Sequence, residues 1–485
     1  MKRYFLLLDL GTGSIRCAAF DTRANRIGKI IQQRLNLIVD EPGQAEHSSD
    51  RILNALYKII RQTCLTNGIE KKEIEALCIS TYFHSVMLLD KHYNPLTNIL
   101  TWADERSSNI ASRLRECDST LKFYKISGCR FHQTFPTAKI IWLRKQYPEV
   151  FKKVRYISSA KDFLIKNLTG EFAIDFSAAS ASGFFNIRTL DWEEEILKLC
   201  GISRAMLPSL VPPEYVFDKL STGAAEKAGL KIETKVLIGA GDAALSNIGT
   251  APFGDIVVMG GTSGAVRRLV DKPFFEPKGR LFCYYAAGGK YISGGAVNAG
   301  ASVLTFMAKL MGVRDERELI DMVGLEKSLK PSSVTILPFF AGERCPNWLS
   351  NAEGVIYGLK LTTSREEVVS SAIDSICYSL RSIYECIPGR KNLKVIATGG
   401  LSNSKIWLNK LAGILGIDIL VPSNAEGSLL GLKRMAESIF LKGSVSNKDS
   451  PISIKEVIKP HNIERFEQGY RKYNRIYSKF NGEWI

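Results

Sequence analysis

Asp242 stands after the strand-like run Lys235-Val236-Leu237-Ile238-Gly239 and the pair Ala240-Gly241, just before a stretch that reads as helix. That order puts a carboxylate at a helix N-terminus with an open approach, the setting of a general base. An Asp in such a place also serves as a plain helix cap, so the glycines before it carry the catalytic reading. Asp9 closes an apolar run beside Gly11-Thr12-Gly13-Ser14, where an acid is placed to hold Mg2+ through water. Trp102-Ala103-Asp104-Glu105-Arg106 gathers an aromatic face, a carboxylate and a guanidinium within one turn. Stacking with bidentate hydrogen bonding suits a polyhydroxylated acid; the plainer alternative is a buried Trp beside a helix-start ion pair. His84 and Ser85 lie just past the buried-type run Ala76-Leu77-Cys78-Ile79-Ser80, at the strand end where α/β folds place ligands.

Two related stretches must position these groups. Leu6-Leu7-Leu8-Asp9-Leu10-Gly11-Thr12-Gly13-Ser14-Ile15-Arg16 runs on to Asp21, and Ile256-Val257-Val258-Met259-Gly260-Gly261-Thr262-Ser263-Gly264 runs on to Asp271. Each is a short apolar run, a Gly/Thr/Ser turn and a second apolar run, so each reads as a strand–turn–strand hairpin. A glycine-rich tip leaves backbone N–H groups free to converge on an anion, and Thr and Ser hydroxyls add donors. Two copies, each opening about half the chain, imply a duplicated fold with two phosphate clamps on one cleft. A dinucleotide fingerprint is excluded, because Arg16 stands where its third glycine belongs and no helix follows.

At 485 residues, 45% hydrophobic and 24% charged, the chain has material for two large α/β domains. The link falls around residues 246–254, with Pro252 and Gly254 in it, dividing the chain into 1–246 and 247–485. Met1-Lys2-Arg3 and the apolar residues after it imitate a signal peptide, but Asp9 interrupts the run and no small-residue cleavage site follows. No run approaches the roughly 18 apolar residues of a spanning helix. Ten scattered cysteines without a C-x-x-C pair point to reduced thiols in a cytoplasm. The five histidines show no metal-ligand spacing. Net charge is +16, yet Lys and Arg are spread without a long basic run, so a solvated basic surface is expected rather than a nucleic-acid partner.

Along the chain, Arg23-Ala24-Asn25-Arg26 reads as a turn into a third strand, and Ser48-Ser49-Asp50 caps a helix with Ile52, Leu56, Ile59 and Ile60 on one face. Helical segments follow at Ala138 to Tyr147 and Lys161 to Asn167, and Asp191-Trp192-Glu193-Glu194 reads as a helix start. After the second hairpin come Gly294-Gly295 and Asn298-Ala299-Gly300-Ala301-Ser302, a glycine-rich turn into a helix. Ser364 caps a helix to about Ile387. Lys394 to Thr398 is a strand ending at Gly399-Gly400, which opens a β-α-β unit where an adenosine could lie against backbone. Phe466, Tyr470, Tyr473 and Tyr477 have helical spacing and form a packing face.

These motifs together resemble the FGGY carbohydrate kinases, of the actin/hexokinase-like ATPase superfamily. Ile238 to Ala244 is similar to that family's catalytic-base segment, and Pro136-Thr137-Ala138-Lys139-Ile140-Ile141-Trp142-Leu143 to its first signature, with Thr134 departing from the preferred residues. Gly354-Val355-Ile356-Tyr357-Gly358-Leu359 through Asp374 fits the second signature, and Gly399-Gly400 resembles the adenosine-side motif. The resemblance implies a two-lobed α/β fold of duplicated ribonuclease H-like domains with a central cleft, using ATP and Mg2+. It implies nucleotide contacts from Thr12, Gly13, Ser14, Arg16, Gly261, Thr262, Gly300, Gly399, Gly400 and Asn403, a metal role for Asp9 and a base role for Asp242. His84, Ser85, Trp102, Asp104 and Arg106 become sugar contacts together with Asp242.

Phe83-His84-Ser85, Leu100 to Asp104, Gly261 to Arg267 and Gly342-Glu343-Arg344 resemble the gluconate-kinase versions of these motifs. That implies phosphorylation of gluconate to 6-phosphogluconate, with Arg267 and Arg344 as candidates to offset the substrate carboxylate. A kinase of xylulose or a related pentulose or polyol is the near alternative. An actin- or Hsp70-like ATPase working on a protein partner is the distant one, and such ATPases lack Trp102 to Arg106 and both signatures. The expected partner is a small sugar or sugar acid, with no nucleic acid, no membrane and a homodimer as the candidate assembly.

Overall fold

Tyr4–Leu10 is a central strand: it pairs antiparallel with Ser14–Asp21, Asp9 opposite Arg16, and parallel with Ile74–Thr81. Covered on both faces, such a strand reads as one continuous apolar run, which is why Phe5 to Leu8 imitate a secretory signal. The computed structural model describes residues 3–22, 26–252, 254–424, 426–441 and 452–484. The expected turn at Arg23 to Asn25 lies outside the described residues; the strand after it is Arg26–Ile27.

The first sheet runs in the order Val216–Phe217, Lys235–Leu237, Ile74–Thr81, Tyr4–Leu10, Ser14–Asp21 and Arg26–Ile27, with Ile31–Arg34 also on Ser14–Asp21. The second repeats its plan. Ile256–Gly260 pairs antiparallel with Gly264–Val270 and parallel with Val395–Gly399; Tyr291–Val297 extends the antiparallel side, and Ile419–Pro422 the parallel side. Both predicted hairpins are therefore present, each at the centre of a seven-stranded sheet.

Two helices tie the halves together. Asp242–Thr250 leaves the first sheet and packs against Gly427–Phe440, which comes from the second half yet lies on strands Tyr4–Leu10 and Ile74–Thr81 of the first sheet. Their backbones touch at glycines: a Cβ at Gly249 would sit 2.1 Å from the Gly427 carbonyl, and one at Gly431 would sit 2.1 Å from the Leu245 carbonyl. Phe440 reaches the ring of Phe5, centroids 5.0 Å apart, so one hydrophobic core spans both sheets. The expected division at 246/247 falls inside the helix Asp242–Thr250, while the sheets separate between Leu237 and Ile256.

Ser48 caps Ser49–Thr66, whose Ile52, Leu56, Ile59 and Ile60 are buried, and Ser364 closes a capping box on Arg365–Tyr384. Phe466, Tyr470 and Tyr473 of Ile463–Trp484 are buried against the second domain. Gly294 and Gly295 lie within strand Tyr291–Val297 rather than at a turn; a Cβ on Gly294 would meet the backbone of Val266 and Arg267. Asp191–Trp192 is a short strand, and the helix Glu194–Cys200 follows it directly, with Glu193 as its cap. Among the described residues, no helix is long and apolar enough to cross a membrane.

Candidate active site

Between the two hairpins lies a cavity of about 210 Å³. Thr12 of the first tip and Ser263 and Gly264 of the second line it, together with His84, Trp102, Asp242, Arg267 and Arg344. It is smaller than the ~300–1,000 Å³ of sites for drug-sized ligands, a size for a small metabolite. A larger cavity of about 600 Å³, bordered by Glu214, Leu430 and Ile452, shares none of these groups.

Asp242 is the first residue of its helix, capped by Gly241, and takes one hydrogen bond from the Ala243 N–H at 2.7 Å. Its carboxyl is half open to the cavity yet surrounded by protein. Burial, with the nearby Asp9 carboxylate, pushes its pKa up to about 7, and Arg267 and Arg16 oppose that rise. A base poised near neutrality suits proton removal from an alcohol.

Asp9 is buried and fully engaged on one side. Its Oδ1 accepts from Ser80 at 2.6 Å, and its Oδ2 accepts from Ser428 at 2.8 Å and from Arg16. Arg16 also grips Glu426 and donates to Ser428 at 3.1 Å. The first hairpin is thus latched to the start of helix Gly427–Phe440. Arg16, expected as a nucleotide contact, is instead held by two carboxylates. The tip itself stays open: Gly13 is exposed with nothing near a Cβ, the Ser14 hydroxyl accepts from Gln32 at 3.0 Å, and Thr12 accepts from the Trp102 indole at 2.8 Å.

The second tip is braced by backbone. The N–H groups of Ala301 and Ser302, opening helix Ala301–Met311, donate to the carbonyls of Gly261 at 2.7 Å and Thr262 at 3.1 Å. Gly300 is required there, since a Cβ would sit 2.6 Å from the Gly261 carbonyl oxygen. Gly399 is paired with Gly260 and has φ +75°, so the turn Gly399-Gly400 sits directly beside the second hairpin. Thr262, Gly400 and Asn403 are exposed.

On the other side of the cavity, His84 is buried with φ +64°, and its Nδ1–H donates to the Ala181 carbonyl at 2.7 Å. Burial and the Arg344 guanidinium hold its pKa well below the ordinary value, so it is a neutral imidazole whose Nε2 can accept. Trp102 lies beneath Arg344, 5.4 Å from guanidinium to ring centre. Arg267 and Arg344 are both buried, their Nε atoms have no partner, and neither forms an ion pair among the described residues. Burial lowers Arg267 to about 10 against the pull of Asp242.

Three expected sugar contacts lie outside this cavity. Asp104 has no exposed surface and accepts from the Ala45 N–H at 3.0 Å and from Arg106. Arg106 is shared among Asp104, Glu41 and Glu46 and stacks 4.6 Å from the Trp142 ring centre. The buried ion-pair reading is the one the geometry shows. Ser85 turns away and accepts from the Ala160 N–H at 3.0 Å. Sequence reasoning did not single out Ser80 and Ser428, which hold Asp9 from 71 and 419 residues away, or Tyr284, which lines the cavity; none carries a local signal.

A sequence profile of the FGGY family of carbohydrate kinases, N-terminal domain, matches residues 4–249, and that of its C-terminal domain matches residues 256–436. A gluconokinase of Bacillus subtilis (strain 168) is 32% identical over 452 residues, covering 89% of this chain and 86% of that protein. The solved gluconate kinase from Lactobacillus acidophilus superposes with TM-score 0.90 at 26% identity, over 100% of this chain and 99% of the other. The ligand-bound xylulose kinase from the same organism gives TM-score 0.89 at 26% identity, over 99% of each chain. With both lobes matched and the hairpins facing one cleft, the chain belongs to the FGGY family of carbohydrate kinases, ATP-dependent phosphotransferases of the two-lobed actin/hexokinase-like fold.

Proposed function

We propose that this kinase transfers the γ-phosphoryl group of ATP to D-gluconate, giving 6-phospho-D-gluconate. One observation carries the choice of an acid over a neutral sugar. Two buried guanidinium groups with no ion-pair partner among the described residues, Arg267 and Arg344, line the same small cavity as Asp242. Two unpaired buried cations are costly, and a substrate carboxylate would offset that cost, whereas a ketose or polyol brings no charge. The gluconokinase and gluconate kinase relatives support the same reading.

In this reading Asp242 takes the proton from the attacking hydroxyl as the O–P bond forms. The exposed backbone at Gly13 and Thr262 faces the phosphates from both lobes, and Gly399, Gly400 and Asn403 receive the adenosine. Trp102 and His84 orient the carbon chain, His84 by accepting at Nε2. Asp9 fits a Mg2+ held through water: its Oδ1 takes one hydrogen bond, so acceptor capacity remains. The described residues offer no cluster of three or more ligating side chains, in keeping with an ion shared between one or two carboxylates and the substrate phosphates. When bound, Mg2+ neutralises charge on the phosphate oxygens. The lobes, divided near residues 246–254, close around the substrate and exclude water from the phosphoryl group.

ATP consumption measured against gluconate, other aldonates, xylulose, glycerol and further polyols tests this. Gluconate is expected to give the highest kcat/KM, and Arg267→Met and Arg344→Met each to raise its KM about tenfold or more, roughly 1.4 kcal/mol. Efficient turnover of xylulose with none of gluconate would replace the reading with that of a pentulose kinase.

A further inference from the structure

Lys161 is a lysine with almost no exposed surface, and its ammonium group sits where two parallel strands end. Its Nζ donates to the carbonyls of Ile79 at 3.0 Å, Ile238 at 2.6 Å and Ala240 at 3.3 Å, and lies 3.5 Å from Asp175 Oδ2. Ile79 belongs to the strand that leads into His84. Ile238 and Ala240 belong to the segment that leads into Asp242.

Asp175 reaches the same two residues by another route. Its Oδ1 accepts from the Ala178 N–H at 2.9 Å and caps the short helix Phe176–Ser180. Ser177 of that helix accepts from the Gly241 N–H at 3.3 Å. Ala181, just past the helix, supplies the carbonyl that fixes His84. Both members of the buried pair therefore constrain the residues immediately before Asp242, Lys161 also holds the strand that leads to His84, and the helix capped by Asp175 leads to the carbonyl that holds the His84 ring.

We propose that Lys161 and Asp175 form a positioning pair that sets Asp242 and His84 at one fixed separation across the substrate cavity. The inference rests on Asp242 being the base. A buried ion pair is seldom retained for stability alone, because desolvation offsets most of its attraction. Here it also brings a positive charge close to the base. The charged groups facing Asp242 are Asp9 from the first strand, Arg16 from the second, Arg267 from the opposite lobe and Lys161 from beneath. Lys161 shares with both arginines the task of favouring the carboxylate.

The experiment measures kcat, both KM values, the pH profile of kcat and the melting temperature for Lys161→Met and Asp175→Asn, with Asp242→Asn as control. Lys161→Met is expected to lower kcat of the folded protein about 100-fold, the scale of a 1 Å misplacement, with KM for ATP within about twofold of wild type. Its acid limb should move to higher pH, because a positive charge near the carboxylate is lost. Asp175→Asn keeps an acceptor for Ala178 but removes a negative charge, so its acid limb should move to lower pH. If Lys161→Met does not fold, the shift in Asp175→Asn decides the matter. Folded variants with kcat within about threefold of wild type and unmoved acid limbs would overturn the proposal. Activity persisting in Asp242→Asn would instead remove the base assignment on which it stands.

Discussion

The two hairpins share a plan but treat their arginines in opposite ways. Arg16, on the return strand of the first, is locked between Asp9 and Glu426. Arg267, on the return strand of the second, is buried, forms no ion pair among the described residues and lines the same cavity as Asp242. At the register position of the Asp9–Arg16 pair, the second hairpin places Met259 opposite Ala265. The first hairpin thus concentrates fixed charge around an acid, while the second is a backbone cradle braced by Ala301 and Ser302. Of the two copies, one gathers its charges around Asp9, and the other leaves Arg267 lining the cavity.

That contrast can be broken in stages. Asp242→Asn should lower kcat by about 10²–10⁴-fold, the usual share of a general base, while ATP binding measured by calorimetry is retained. In the wild type, kcat should fall about tenfold per pH unit well below the Asp242 pKa of about 7, because the protonated carboxyl cannot accept a proton. The same raised pKa makes the ionised group unfavourable in the fold, so the variant should melt at a higher temperature than wild type at pH 8.

Asp9→Asn comes next, with a loss of about 100-fold in kcat and a higher Mg2+ concentration for half-maximal rate. Gly300→Val should leave kcat nearly intact but raise KM for ATP about tenfold, roughly 1.4 kcal/mol, since its side chain would press the Gly261 carbonyl out of place. Thr262→Ala should change KM for ATP only about twofold, because backbone rather than hydroxyl does the gripping there. A large effect from Thr262→Ala with a small one from Gly300→Val would reverse the account of the second tip.

Much of this architecture is legible in local sequence. The hairpins, the capped helices and the strand ending at Gly399 depend on apolar period and turn residues within a few positions of each other. His84, Trp102 and Asp242, which line one cavity, each follow a recognisable strand or turn. Asp104 and Arg106 lie outside the cavity, facing one another, and a short acid–base–aromatic stretch looks alike whether its charges face a ligand or each other. Only Glu41 and Glu46, some sixty residues upstream, settle that. The hold of Glu426 on Arg16, from 410 residues away, leaves no local mark in the sequence. Lys161 carries no local mark at all, for its partners are carbonyls on another strand and on the segment leading into Asp242.

The helix Gly427–Phe440 has a consequence for synthesis. It covers the first sheet, with Phe440 on Phe5 and Lys433 over the Phe20 ring, although some four hundred residues of translation separate them. A nascent chain therefore carries an uncovered apolar sheet face for most of its time on the ribosome, and domain-by-domain maturation from the N-terminus cannot run to completion. Truncation before residue 427 should leave a sticky, incomplete first lobe rather than a free-standing module.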